Sequence, residues 1–526
     1  MQRREFLQNA VTLGAGAMSW MIGAPLSADA ASREQVDVAL IARPYAFPTD
    51  TGAHFQGLAY NGRIPGPLLR VRYGQTLRAR YLNHTGGPSS IHWHGMILPN
   101  DMDGVPGITQ TAVPDGGEFV YTFKPDPPGL RWYHSHAGDQ QVRGLFGAFL
   151  VEDPGERRAD VEAVLVLHDV PDMRSFRAAL AGKSTAPMDV PPGIPTPGMH
   201  PASGAGSMKD MPGMTDTSGM KGMSGMKGMS GMSDMSGMKG MPGMNGGSMM
   251  GDEVSYLSHC IGGAAYPHTR PLIVKVGQTV RLRIVNASPT LTHYLRLAGH
   301  RLEVTHSDGN PLPRAVMVDA LRIGIGERYD AWFQVTRSGA WLLQSLMADT
   351  HDRRQAVLIR TEDAAGSKPE LPPASLEGAV LFDYLLAGGA EPGTHAASTH
   401  PHGPGIIRID FTLGGGKAGD RRWTIDGRTW PHTPKLRVRR GDRVLIRFNN
   451  RSDMDHPMHL HGHVFELVGQ SGKRLRLPIR KDTSLVPANG TATWQFIADA
   501  PPGRWLLHCH DQVHMMDGMM TEVVYL

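Results

Sequence analysis

Cysteine is almost missing from this chain: two in 526 residues, Cys260 and Cys509. At most one disulfide is possible, so the protein is no disulfide-stapled scaffold, and packing together with any bound metal must carry its stability. Long apolar runs are missing too. The stretch from Val11 to Ile22 is too short and too rich in glycine for a membrane span. Neither sign of charge is in excess, the formal balance being +4. With no basic run carrying interleaved aromatics, nucleic acid is not an expected partner. Long helical periodicity is absent as well, and no helix is assigned.

Glycine and proline, by contrast, are abundant, 64 and 40 residues, which favours turns and strands over long helices. At roughly 100–200 residues per domain the length predicts about three domains. Residues 1–30 read as an export leader. Paired arginines in Gln2-Arg3-Arg4-Glu5-Phe6-Leu7 precede the apolar stretch, and Ala28-Asp29-Ala30 offers a small-x-small cleavage site. This is the pattern of twin-arginine export, which carries folded proteins and suits an enzyme assembled around a cofactor. The mature chain is therefore expected in a bacterial periplasm or outside the cell.

An internal repeat is legible. The segment Val71–Asn83 (VRYGQTLRARYLN) returns as Val274–Asn286 (VKVGQTVRLRIVN) and again as Val438–Asn450 (VRRGDRVLIRFNN), 203 and then 164 residues further on. Each copy is two short segments around a Gly-polar turn. The second segment alternates apolar and polar side chains with the period of a half-buried strand. Three copies this far apart predict an all-β chain of three related domains rather than a short-period solenoid. The domains are placed at 33–157, 158–365 and 375–526, with a loop from Gly388 to Pro404.

The stretch from Met199 to Met250 differs in kind, holding 15 of the 30 methionines in 52 residues. From Met220 to Met244 a methionine recurs at every third position among Gly, Ser, Lys, Pro and Asp. Such a composition has little with which to build a packed core. It reads as a Met-rich low-complexity insertion near the start of the second domain.

Four histidine clusters carry the chemistry: His92-Trp93-His94-Gly95; His134-Ser135-His136; His456-Pro457-Met458-His459-Leu460-His461-Gly462-His463; and His508-Cys509-His510 followed by His514 and Met519. On a strand, side chains at i and i+2 share a face. Each His-x-His pair can thus grip one metal cluster. In the last cluster His508 and His510 share a face while Cys509 between them faces away, so one tripeptide can wire two metal sites together. Two clusters lie in the N-terminal quarter and two near the C-terminus, so the fold must bring distant segments together. Cys509 with His456, His514 and a long axial Met519 is the ligand set of a blue, electron-transfer copper. Structural zinc, which commonly takes several cysteines, does not suit a chain with one cysteine among so many histidines. His463 is expected to pack rather than ligate, Trp93 and Trp132 to pack rather than relay electrons, and Cys260 to be a buried small hydrophobe.

These clusters resemble the copper-binding signatures of the multicopper oxidases, the family of laccases, ascorbate oxidase and bacterial copper-tolerance oxidases. Gly326-Glu327-Arg328-Tyr329-Asp330 and Trp423-Thr424-Ile425-Asp426-Gly427 are also similar to family segments. The resemblance covers nearly the whole mature chain. It implies three cupredoxin-like Greek-key β-sandwich domains and four copper ions. Type 1 copper would be held by His456, Cys509, His514 and Met519. Type 2 copper would be held by His92 and His459, and the type 3 pair by His94, His134, His136, His461, His508 and His510. It also implies four one-electron oxidations coupled to reduction of O2 to water, with Asp103 resembling the acid that delivers protons. Many relatives carry a second acid just after the last type 1 histidine. Here those positions are Met515 and Met516, leaving Asp511 and Asp517 as weak substitutes.

The methionines bear on the reductant. Thioethers are soft ligands that favour Cu(I), so the expected activity is cuprous oxidation in copper tolerance, with phenols and aromatic amines as secondary substrates. The alternatives are a laccase-type phenol oxidase whose insertion restricts access, and a periplasmic protein that sequesters Cu(I). A monomer with no membrane span is expected.

Overall fold

The computed structural model describes residues 34–49, 52, 54–182, 254–346, 355–395, 406–416 and 422–526. The expected leader and the Met199–Met250 insertion lie outside these residues. Among the described residues no helix is long and apolar enough to cross a membrane.

Strands dominate the described residues, as the all-β reading requires, and there they form six sheets, two in each third of the chain. In the first third, Gln35–Pro48, His54–Tyr60, Thr76–Asn83 and Glu118–Phe123 make one sheet, and Leu69–Arg72, His92–His94, Gly129–His134 and Phe146–Glu152 make the other. Their inner faces meet in one core, with Trp93 against Tyr121 at 5.5 Å and Tyr60 against Tyr133 at 5.3 Å between ring centroids. The alternation in Thr76–Asn83, where every second residue is buried, is the pattern of a strand with one face on a core.

The repeat explains why the plan recurs. Each copy starts in one sheet, turns at a glycine with φ +94° (Gly74), +91° (Gly277) or +91° (Gly441), and continues in the facing sheet. That left-handed turn is costly for any residue with a β-carbon. The following side chain closes the turn each time: Gln75, Gln278 and Asp442 accept from the backbone N–H of Arg72, Lys275 and Arg439 at 2.7–2.8 Å. Each copy ends on an asparagine buried at 0–3% exposure. Asn83, Asn286 and Asn450 each accept from the N–H two residues on and donate to at least two backbone carbonyls. These are three equivalent knots at three sheet ends. The second segment of each copy pairs in parallel with one earlier strand of its third: Gln35–Pro48, Val161–Pro171 and Ile406–Gly414.

Two features depart from the sequence reading. Among the described residues three short helices occur, Met173–Leu180, Tyr384–Gly388 and Gln512–Asp517, each too brief to show helical periodicity. An aspartate N-caps each one, Asp172, Asp383 and Asp511. Part of the expected 388–404 loop is also ordered. The strand Ala390–His395 pairs with Lys473–Lys481, a partner far away in sequence that overrides the local glycine-rich composition.

Candidate metal centre

The ligand candidates sit on two antiparallel strand pairs, one from the first third and one from the last. His92–His94 pairs with Gly129–His134, setting His92 opposite His134. His456–Leu460 pairs with Arg504–Cys509, setting His459 opposite His508 and Met458 opposite Cys509. The two pairs meet ring on ring. His92 stacks on His461 at 3.8 Å between centroids, and His94 on His459 at 3.6 Å and 13°. Eight histidines thereby converge, and their ring nitrogens form groups within 4.8 Å: His92, His94 and His459; His94, His134 and His510; His136, His461 and His508. All but the partly exposed His136 are buried.

The other end of the last strand pair gathers a second set. His456 Nδ1 and His514 Nδ1 lie 3.1 Å apart, at 3.8 and 3.5 Å from Cys509 Sγ. His514 is presented by the helix Gln512–Asp517, whose first turn is pinned by Asp511 accepting from the N–H of Val513 and His514. Met519 is fully buried, and its backbone brackets the set: its carbonyl accepts from Cys509 N and its N–H donates to His514 O, both at 3.0 Å. The indole of Trp423 lies over His514 at 3.8 Å and edge-on to His456 at 5.4 Å.

The hydrogen bonds show what these nitrogens are for. His92 and His459 donate from Nδ1 to the backbone oxygens of Asp103 and Asp482, both at 2.8 Å. His134 and His508 donate from Nδ1 to the carbonyls of Ser135 and Cys509, and His461 Nδ1 reaches Asp103 Oδ2 at 3.0 Å. The inward Nε2 atoms of His92, His134, His136 and His459 have no partner, and neither does Nδ1 of His94. One nitrogen anchored outside and a bare one inside is how protein holds imidazole for a metal, because a buried lone pair without a partner is otherwise costly.

Electrostatics agree. Burial, reinforced by crowding with one another, pushes His94, His134, His136, His459, His461 and His510 well below the usual histidine range. Burial takes His508 to about 4 and His456 to about 3. Neutral imidazole is the form that binds metal. Burial also pushes the Cys509 thiol well up, so a bound cation is needed to make it a thiolate. The donor set, one thiolate and ten imidazoles in two adjacent groups, fits copper.

Comparison with known proteins places this arrangement. Multicopper oxidase family profiles match residues 45–156, 200–362 and 407–526. The chain is 31% identical to the multicopper oxidase MmcO of Mycobacterium tuberculosis, over 100% of this chain and 96% of that one. The chain belongs to the multicopper oxidase family. It is a copper-dependent oxidoreductase with one type 1, one type 2 and two type 3 ions, four in all. The oxidase is also 25% identical to copper resistance protein A of Escherichia coli, with 90% of each chain covered. In fold it resembles the crystal structure of a multicopper oxidase from Pseudomonas thermotolerans, with TM-score 0.61 and 24% identity over 94% of this chain and 99% of that one. Fet3p, a multicopper oxidase that functions in iron import, gives TM-score 0.66 and 19% identity over 93% and 90%.

Several residues of this oxidase take other places. His463 turns away from the cluster, donating from Nδ1 to His461 O and meeting Tyr525 OH at 2.7 Å. Trp93 packs among Tyr121, Phe123 and Phe149. Trp132 packs against the rings of His94, His134 and His510. Cys260 is buried. Asp511 caps its helix, and Asp517 accepts from Trp423 N at 2.5 Å. Sequence reasoning missed a carboxylate on the cluster: Asp482, fully buried, with Oδ1 3.1 Å from His94 Nε2. The available signal was the pair Lys481-Asp482, two charges set directly before the buried strand Thr483–Val486.

Proposed function

We propose that this enzyme is a copper-tolerance oxidase that takes electrons singly from Cu(I), and secondarily from small phenols and aromatic amines, to reduce O2 to water. The observation that carries the reading is the tripeptide His508-Cys509-His510. Its cysteine meets His456 and His514 while its histidines enter the eight-membered cluster. In this reading His456, Cys509, His514 and Met519 hold type 1 copper, and His92 and His459 hold type 2. His94, His134 and His510 hold one type 3 ion, and His136, His461 and His508 the other. Bound copper supplies a one-electron acceptor at Cys509 and an oxygen-binding four-electron store at the histidines.

The chain's own part is placement. Cys509 joins both histidines through two peptide units, a short covalent path. Asp103, wholly buried between His461 Nδ1 and His92 Nδ1, is the group positioned to hold and pass protons at the cluster. Burial keeps bulk water out.

Cuprous ion as the reductant rests on the methionines. The helix Met173–Leu180 packs against Gln512–Asp517, which carries His514. Met173 and Met516 both lie against the core there. Thioethers such as those of Met199–Met250 are soft donors that favour Cu(I) over harder ions. The resemblance to copper resistance proteins supports the same reading, with the chain working in the periplasm after twin-arginine export. The test is oxygen uptake with Cu(I) as sole reductant, by the intact chain and by one lacking Met199–Met250. A large loss of cuprous turnover with phenol turnover kept supports the proposal. Equal cuprous rates, with phenol oxidation dominant in both, overturn it in favour of a laccase.

A further inference from the structure

The middle third of the chain supplies none of the proposed copper ligands, yet it reaches the histidine cluster through Gly326-Glu327-Arg328-Tyr329-Asp330. Arg328, fully buried, grips Asp482 with two nitrogens, Nη1 to Oδ1 at 2.7 Å and Nη2 to Oδ2 at 2.5 Å. Arg131, from the first third, approaches Asp482 Oδ2 at 3.4 Å. Asp308, again from the middle third, accepts from the backbone N–H of Asp482 and Thr483 at 3.2 and 3.1 Å. Asp482, itself in the last third, is therefore held by side chains from both of the other thirds of the chain. The approach is close: a β-carbon at Gly95 would stand 2.5 Å from Asp482 Oδ2 and 2.6 Å from Arg328 Nη2, and one at Gly326 would stand 3.1 Å from the His510 ring. The glycine after His94 is required by this clamp.

Asp482 in turn touches two of the proposed ligands, in opposite senses. Its carboxylate faces His94 Nε2, and its backbone carbonyl faces His459 Nδ1. A carboxylate and a carbonyl can only accept. The hydroxyl of Thr483 donates to Asp482 Oδ1 at 2.9 Å, so toward His94 Nε2, at 2.9 Å, it too is an acceptor. His94 must then carry its proton on Nε2 and turn a bare Nδ1 inward. His459 must carry its proton on Nδ1 and turn a bare Nε2 inward. Those are the two atoms that lack a partner.

We propose that Asp482, oriented by Arg328, is the positioning residue that fixes ring orientation and tautomer at His94 and His459, so that the middle third of the chain governs assembly of the trinuclear copper site without ligating it. The inference rests on reading those two histidines as ligands. An asparagine at 482 cannot replace the carboxylate. Its amide NH2 would face either the Arg328 guanidinium or His94 Nε2, and in the second case it would favour the wrong tautomer.

The test uses the full-length copper-loaded protein with D482N, R328K and T483V. It reads copper per chain, the blue type 1 absorption and the magnetic signature of the type 2 and type 3 ions. Outer-shell partners of this kind typically change metal affinity about 10–100-fold. D482N and R328K should therefore keep the blue absorption while copper per chain falls from four toward one. T483V, which spares the ion pair, should show a weakened cluster signature at full type 1 colour. R328K keeps the charge but loses the two-point grip, so a purely electrostatic role would leave it unaffected. A full copper complement with a native cluster signature in both D482N and R328K overturns the proposal. If D482N fails to fold and loses the blue colour as well, R328K and T483V decide. His94→Ala and His459→Ala are the controls for the underlying reading. If they retain all copper, the ligand assignment has failed, and the positioning role with it.

Discussion

Asp103 and His461, 358 residues apart in sequence, share a hydrogen bond of 3.0 Å between two fully buried side chains. The same aspartate accepts from His92 through its backbone oxygen. One residue therefore ties together histidines from both ends of the chain. It is also the carboxylate among the described residues that contacts the cluster without being locked to an arginine.

That freedom makes a prediction. Asp103→Asn keeps the size and one acceptor but cannot carry a proton. Oxygen reduction should fall by about 10²-fold or more, while reduction of the type 1 copper by added substrate proceeds at its native rate. Stopped-flow measurement of blue-band bleaching, followed by its return in air, separates the two. Unchanged re-oxidation would show that protons arrive by another path.

Trp423 covers both imidazoles of the proposed type 1 set. Trp423→Ala should cost about 3–5 kcal/mol of stability through the cavity it leaves. It should also open the imidazole edges to bulky organic reductants. The ratio of phenol to cuprous turnover is expected to rise, with denaturant midpoints measuring the stability loss. A ratio that stays constant would remove Trp423 from the control of access.

Cys509→Ser should abolish the blue absorption and steady-state turnover together while leaving the other three coppers bound, because the eight cluster histidines do not depend on the thiolate. Metal analysis with visible spectroscopy tests this. Loss of all copper would mean that the two sites fill cooperatively.

His168 belongs to none of the histidine clusters and is packed edge-on to Phe47 with its ring nitrogens unpartnered. Burial holds it down to about 4. Below its ordinary value near 6.5 the unfolded chain takes up a proton that the folded chain refuses. Its contribution is therefore present at neutral pH and lost as pH falls from about 6.5 to 4, amounting to roughly 3 kcal/mol. Urea unfolding of the metal-free protein across that window should show His168→Leu with a shallower acid slope than the parent. Parallel slopes would assign the acid sensitivity elsewhere.

Much of this could be read in advance because it is local. The His-x-His spacing states which side chains share a face, and the repeated Gly-polar turn and terminal Asn state where strands cross between sheets. Asp482 gave only the adjacent Lys481-Asp482 charges, Arg328 only its place in a family-like segment, and Arg131 no signal at all. They are ordinary charged residues whose burial depends on partners 154 and 351 positions away, and no pattern within one strand reveals a charge that will be neutralised from another third of the chain. The strand at Ala390–His395 was hidden for the same reason, its partner lying beyond residue 470.

The pairing of His456–Leu460 with Arg504–Cys509 has a last consequence. In the proposed assignment neighbouring residues on these strands serve different metal sites, Cys509 opposite Met458 and His508 opposite His459. Since side chains alternate from one face to the other, a slip of one residue would carry the thiol toward the oxygen-reducing cluster and a histidine toward the electron-entry site. A misthreaded chain could not be coloured correctly by copper. In the fully copper-loaded, oxidised wild-type protein the blue absorption is thus a readout of strand register.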